Sequence, residues 1–174
     1  MHLAVSAIGA DRPGIVAAVT GVLVEHGCNL EDTSMSILRG HFAMTLVVAA
    51  PPEADAQALE AAIAAATGDL GLLISVRPID DAVAASPAGE PWTVSVYGAD
   101  RPGIVHRVTS LLAGEGINIV DLTTRVIGDD ARPVYAMFLD VTVPEGATLS
   151  DHLDALAAEL GISCTAHPVD ADIL

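Results

Sequence analysis

With 174 residues, the chain has room for one medium domain or two small ones. Hydrophobic residues make up 52% of it and charged residues 17%, enough apolar surface to fold compactly, which excludes a globally disordered chain. A formal net charge of −16, with only 7 Lys and Arg and no basic stripe, argues against a nucleic-acid partner, because phosphates are bound by clustered cations.

The first element is a strand over 2–9, where Leu3, Val5 and Ala7 alternate onto one face. It runs into the eight letters GADRPGIV at 9–16, and these return unchanged at 98–105 after a second alternating segment, TVSVYG at 93–98. An identity of that length at matched positions marks the chain as a duplication. After each copy a helix is predicted, carried by Ile15, Val16, Val19, Leu23 and His26 as far as Gly27, and by Ile104, Val105, Val108, Leu112 and Glu115 as far as Gly116. Both glycines are C-cap candidates.

The segments 27–38 and 116–127 supply second strands, beginning at Asn29 and Asn118. A short turn at Arg39-Gly40 in one half and a longer one over 128–133 in the other lead to third strands at 42–53 and 135–146. Second helices follow, with buried stripes Leu59, Ala62, Ile63, Ala66 and Leu149, Leu153, Leu156, Leu160, closed by Gly68 and Gly161. Last strands lie at 72–79 and 162–169.

Each half therefore reads β-α-β-β-α-β, an α+β ferredoxin-like arrangement with two helices on one face of a four-stranded antiparallel sheet. The expected organisation is one domain over 1–79, a Pro-, Gly- and Ala-containing linker over 80–91, and a second domain over 92–170. With aromatic residues at 3%, the cores must be built mainly from Ala, Val, Leu and Ile. Open sheets leave edges and a helix-free face to be covered, by the other copy or in a homodimer.

Several chemistries lack their residues. Cys28 and Cys164 have neither CxxC spacing nor a disulfide framework. The six histidines never take metal-ligand spacing, and no phosphate or dinucleotide loop is present, so no metal or cofactor is expected. The opening MHLAVSAIGA is mirrored internally by WTVSVYGA, which is not the behaviour of a signal peptide. No apolar run reaches the roughly 18–20 residues of a membrane span, so a soluble cytoplasmic protein is expected. Asp100 with His106 is the best catalytic candidate, yet Ala17 stands where the first repeat would need the histidine, which points away from an enzyme.

In the repeated turn, Asp11 and Asp100 suit helix N-caps, and Pro13 and Pro102 suit the first helical turn. A glycine there costs backbone entropy but leaves room for a ligand to approach free amides that attract a carboxylate. Asn29 and Asn118, each eighteen residues after its aspartate, either grip a zwitterion with the turn of a packed neighbour or serve as ordinary turn residues.

DRPGIV, followed by a helix ending in Gly-Cys-Asn-Leu or Gly-Ile-Asn-Ile within this frame, resembles the ACT domain, a regulatory amino-acid-binding module, and does so twice across nearly the whole chain. Tandem pairs without a catalytic domain are most similar to free-standing ACT regulators of the glycine cleavage system transcriptional repressor group. The resemblance implies an effector amino acid held between domains by the strand-to-helix loop of one and the second-strand start of its neighbour. Carried over by motif, Asp11, Arg12, Pro13, Gly14, Ile15 and Asn29 would line one site, and Asp100, Arg101, Pro102, Gly103, Ile104 and Asn118 the other. Serine-binding members often have Asn at the positions of Asp11 and Asp100 and His at those of Gly9 and Gly98. An aspartate, accepting hydrogen bonds only, favours a ligand ammonium, so a cationic or zwitterionic ligand is expected and a dianion is not, with glycine and serine as the leading candidates. A ligand-free interaction module and a contact regulator of an enzyme or transcription factor are the other readings. The charge predicts that purified protein alone forms no complex with duplex DNA in a gel shift at physiological salt; a salt-sensitive complex would count against it.

Overall fold

A computed structural model of the chain describes residues 1–80, 88–128 and 133–169, so the expected linker and the 128–133 turn fall mainly outside the described residues. Two compact units form. The first contains β1 (His2–Ala10), α1 (Ile15–Glu25), β2 (Asn29–Leu38), β3 (His41–Ala49), α2 (Ala56–Ala66) and β4 (Leu73–Ile79). The second contains β5 (Glu90–Gly98), α3 (Ile104–Gly114), β6 (Asn118–Ile127), β7 (Val134–Val143), α4 (Leu149–Leu160) and β8 (Ser163–Pro168). Their antiparallel sheets have the orders β2-β3-β1-β4 and β6-β7-β5-β8, the predicted α+β arrangement. β5 reaches back into the segment read as linker, where Glu90 and Pro91 pair with Val143 and Thr142.

The cores follow from the alternation. Leu3, Val5 and Ala7 of β1 are buried beside Phe42, Met44, Leu46 and Val48 of β3, under Ile15, Val19, Val22 and Leu23 of α1. Phe42, Met44 and Met137 extend the small aliphatic set that composition predicted. The α1 stripe is centred differently from the expected one. Val16 is 41% exposed and His26 is exposed, while Val22 takes the place beside Leu23.

Both first helices end in the same Schellman geometry. The Cys28 and Ile117 amides donate to the Leu23 and Leu112 carbonyls at 2.9 Å, and Gly27 and Gly116 sit at φ 69°. Cys28 and Ile117 are buried as the accompanying apolar contact.

The end of α2 departs from expectation. The helix stops at Ala66, which is exposed, and Thr67 is buried instead, donating its hydroxyl to the Ile63 carbonyl at 2.8 Å. A 3-10 turn over Gly68–Leu70 then tightens the chain, and the left-handed residue is Gly71 at φ 64°, not Gly68. In the second unit Gly161 caps α4 directly at φ 63°, as predicted.

β2 and β6 lie at sheet edges, and each carries a register shift at the same place, between Leu30 and Asp32 and between Ile119 and Asp121. At the opposite edge, Glu60 of α2 accepts the Val76 amide at 2.8 Å, which satisfies an outward-facing β4 donor. β2 and β3 are joined by two residues with positive φ, Arg39 at 51° and Gly40 at 81°, a type I′ hairpin. Arginine is a poor left-handed residue, so Arg39→Asn is expected to raise stability by about 1 kcal/mol in urea unfolding. Ile63→Ala removes a fully buried side chain and is expected to cost about 2–5 kcal/mol by the same measurement.

Candidate functional site

β1 delivers the chain to Asp11 at one end of the sheet, and the DRPG turn carries it up to the helix layer. The N-cap of α1 is Gly14, at φ 96° and ψ −9°, and that of α3 is Gly103, at φ 95° and ψ −7°. Asp11 and Asp100 are therefore not N-caps, and Pro13 and Pro102 precede the cap instead of opening the first turn. The physical reason is the left-handed glycine. It makes the reversal by itself, one residue before the helix, and leaves the aspartate three residues too early to reach the first amides.

No side chain caps either helix, and neither first turn contains an acidic residue. The Gly14 and Gly103 carbonyls accept from Ala18 and Arg107 at 2.9 Å. The amides of Ile15, Val16 and Ala17, and of Ile104, Val105 and His106, precede the first intrahelical donor and form the positive end of the helix dipole. A Cβ added to Gly14 or Gly103 would meet nothing within 4 Å, so these glycines are required by conformation and not by crowding. The space beside these two glycines is open.

Asp11 is exposed, and its amide donates to the Gly40 carbonyl at 2.9 Å, so the β2–β3 hairpin holds the turn from one side. Neither the Asp11 nor the Asp100 carboxylate has a hydrogen-bond partner among the described residues. The arginines have one. Arg12 Nη1 donates to the Asp69 carbonyl and Arg101 Nη1 to the Leu160 carbonyl, both at 3.4 Å.

Asn29 and Asn118 stand as the first residues of β2 and β6, as predicted. Asn29 pairs with Ala49 in the row of His2, whereas Asp11 follows Ala10, whose row is that of His41. Eight residues of strand separate the rows, roughly 26 Å at about 3.3 Å per residue. Within one unit, then, the turn residues come together and the asparagine does not join them.

Sequence reasoning missed what holds the turn. A Cβ on Gly9 would lie 2.6 Å from Leu72 Cδ2, and one on Gly98 would lie 2.5 Å from Ile162 Cγ2. The recurrence of glycine at 9 and 98 was the available signal. A histidine at either position would have to displace that neighbouring side chain.

His106 meets Ser110 of its own helix at 3.4 Å. Burial raises the Cys28 thiol pKa, and burial together with Asp154 raises that of Cys164, which leaves both thiols protonated near neutral pH. No cluster of three or more metal-ligating side chains occurs among the described residues. Depressions of about 560 Å³ lie beside Trp92 and between α3 and α4, the latter bridged by Arg107–Glu159 at 2.6 Å and His152–Glu115 at 2.8 Å. They are lined by residues outside the repeated turn. No helix among the described residues is long and apolar enough to cross a membrane.

Gly14→Ala and Gly103→Ala are each expected to cost about 1–2 kcal/mol in denaturant unfolding, with Asn at the same position costing less. Equal losses for Ala and Asn would mean that space, not backbone conformation, selects glycine.

Residues 1–77 and 92–160 each match the ACT domain. The glycine cleavage system transcriptional repressor of Escherichia coli (strain K12) is 26% identical over 164 residues, covering 91% of this chain and 85% of that protein. The phosphoserine phosphatase SerB2 of Mycobacterium tuberculosis (strain ATCC 25618 / H37Rv) is 31% identical over 161 residues, which are 89% of this chain but 38% of the phosphatase. Among solved structures, an unknown protein from Galdieria sulphuraria superposes with a TM-score of 0.83 at 29% identity, covering 97% of this chain and 98% of that one. A structure assigned to a glycine cleavage system transcriptional repressor superposes with a TM-score of 0.69 at 21% identity, covering 97% of each chain, which speaks for the fold. With both units matched, and joined in the order the duplication predicted, the chain belongs to the ACT-domain family as a tandem ACT protein.

Proposed function

We propose that this chain is a non-catalytic cytoplasmic sensor of a small amino acid, with glycine and serine as the leading ligands. The observation that carries the reading is the duplicated turn. Two units each keep an uncapped helix start opened by a left-handed glycine and an aspartate whose carboxylate has no partner among the described residues. The first-turn amides would take the ligand carboxylate, and Asp11 or Asp100 the ligand ammonium. Asn29 and Asn118, remote from the turn of their own unit, would complete a site only from another copy of the domain, as in a homodimer.

Similarity to a glycine cleavage system transcriptional repressor over 91% of the chain supports a regulatory role. The charge of −16 supports action through a protein partner, with the amino acid adjusting that contact, over direct contact with DNA. A ligand-free interaction module is the second reading. It is favoured by β2 and β6, sheet-edge strands that expose Met35, Ile37, Val120 and Val126.

Thermal unfolding with each of the twenty amino acids separates the two. A ligand at a hundred times its Kd stabilises the native state by about 2.7 kcal/mol. One amino acid is expected to raise the midpoint, with the effect reduced in Asp11→Ala or Asp100→Ala and lost when both are changed. If none of the twenty moves it, the interaction module is the correct reading.

A further inference from the structure

In both units the arginine of the DRPG turn donates to a carbonyl a few residues before the final strand. The acceptor is Asp69, two residues before Gly71, in one unit and Leu160, immediately before Gly161, in the other. The local structure there differs, a 3-10 turn in the first unit and the end of an α-helix in the second, yet the same Nη1 atom makes the contact at the same 3.4 Å. A contact that survives a change in its own acceptor is specified by the turn, not inherited from the helix end.

A second contact runs in parallel. Leu72 and Ile162, each next after the left-handed glycine, occupy the space a Cβ would need on Gly9 and Gly98. The turn is thus joined twice to the connection that leads into β4 or β8, one of the two edge strands of each sheet.

We propose that Arg12 and Arg101 are positioning residues, not ligand contacts, and that each couples the DRPG turn to the start of its unit's edge strand so that the two respond together when the turn is occupied. A guanidinium suits this task. One of its five donors reaches the carbonyl while its planar, always charged head holds the orientation. The carbonyls at the C-terminal end of a helix are unsatisfied acceptors at the negative end of its dipole, where a cation is favoured. The response to occupancy rests on the sensor reading above; the coupling itself does not.

Hydrogen exchange of the full chain, read by mass spectrometry, tests both. Without ligand, Arg12→Ala is expected to speed exchange over 68–73 by about two- to five-fold, the loss of one modest hydrogen bond, while 158–163 in the other unit stays as in the wild type. Arg12→Lys should recover part of the protection, since an ammonium also donates. Unchanged exchange over 68–73, or equal acceleration in both units, overturns the proposal. With glycine or serine added, whichever one protects 11–17 in the wild type should also protect 68–73, and should protect only 11–17 in Arg12→Ala. Protection of both segments in the variant overturns the coupling. If neither amino acid protects 11–17, the sensor reading fails for these ligands, and the ligand-free comparison alone decides the coupling.

Discussion

Each unit depends on a chain reversal made in four or five residues, between the end of a sheet strand and the first turn of the helix that covers it. A glycine near φ +95° makes that reversal in both copies. Because this conformation costs an L-residue roughly 1–2 kcal/mol, the position is closed to other side chains without any steric crowding. The reversal sets the helix over Leu3, Val5 and Ala7, and it also sets where the helix begins, one residue after the glycine and four after the aspartate. An uncapped, dipole-positive helix start is therefore a by-product of how the strand is joined to its helix. The same geometry that closes the core leaves amides open at its edge.

Most of the fold was legible because the chain is written twice. Strand alternation, helical spacing and glycine helix ends each recur at matched positions, so a weak local signal in one half is supported by its copy in the other. The β2 and β6 starts at Asn29 and Asn118 and the glycines ending α1 and α3 were all placed from sequence. What escaped depends on backbone state or on distant neighbours. An aspartate before a proline is a good capping residue by composition, and only the φ of Gly14 shows that the cap has moved past it. Ala66 and Thr67 differ by one residue of helical phase, and the 3-10 turn that follows brings the threonine inward. The arginine contact to a carbonyl 57 residues away, or 59 in the second unit, has no local signature at all.

The candidate site was legible as a set of residues and less so as an arrangement. Turn and asparagine were expected to meet across neighbouring domains. The register bears on this only by separating them within a unit, since they lie at opposite ends of β1. What the sequence could not divide is labour within the motif. Aspartate and glycine face open space, the exposed arginine donates to a carbonyl of the connection before the last strand, and the preceding glycine makes room for a branched side chain of that connection. One short motif thus serves both access and anchorage.

The side-chain contacts across α3 and α4 bear on how such a chain folds correctly. Two similar units in one polypeptide can exchange elements during folding, since each offers the other a plausible template. The second unit ties its helices with Arg107–Glu159 and His152–Glu115. The positions on α1 matching Arg107 and Glu115 are Ala18 and His26, and Ala62 of α2 matches His152. If α4 docked on α1, Glu159 would find an alanine in place of its arginine, and His152 would face a histidine in place of its glutamate. The two helix layers thus differ in their charged contacts, while the DRPG turns that join them to their sheets are kept alike.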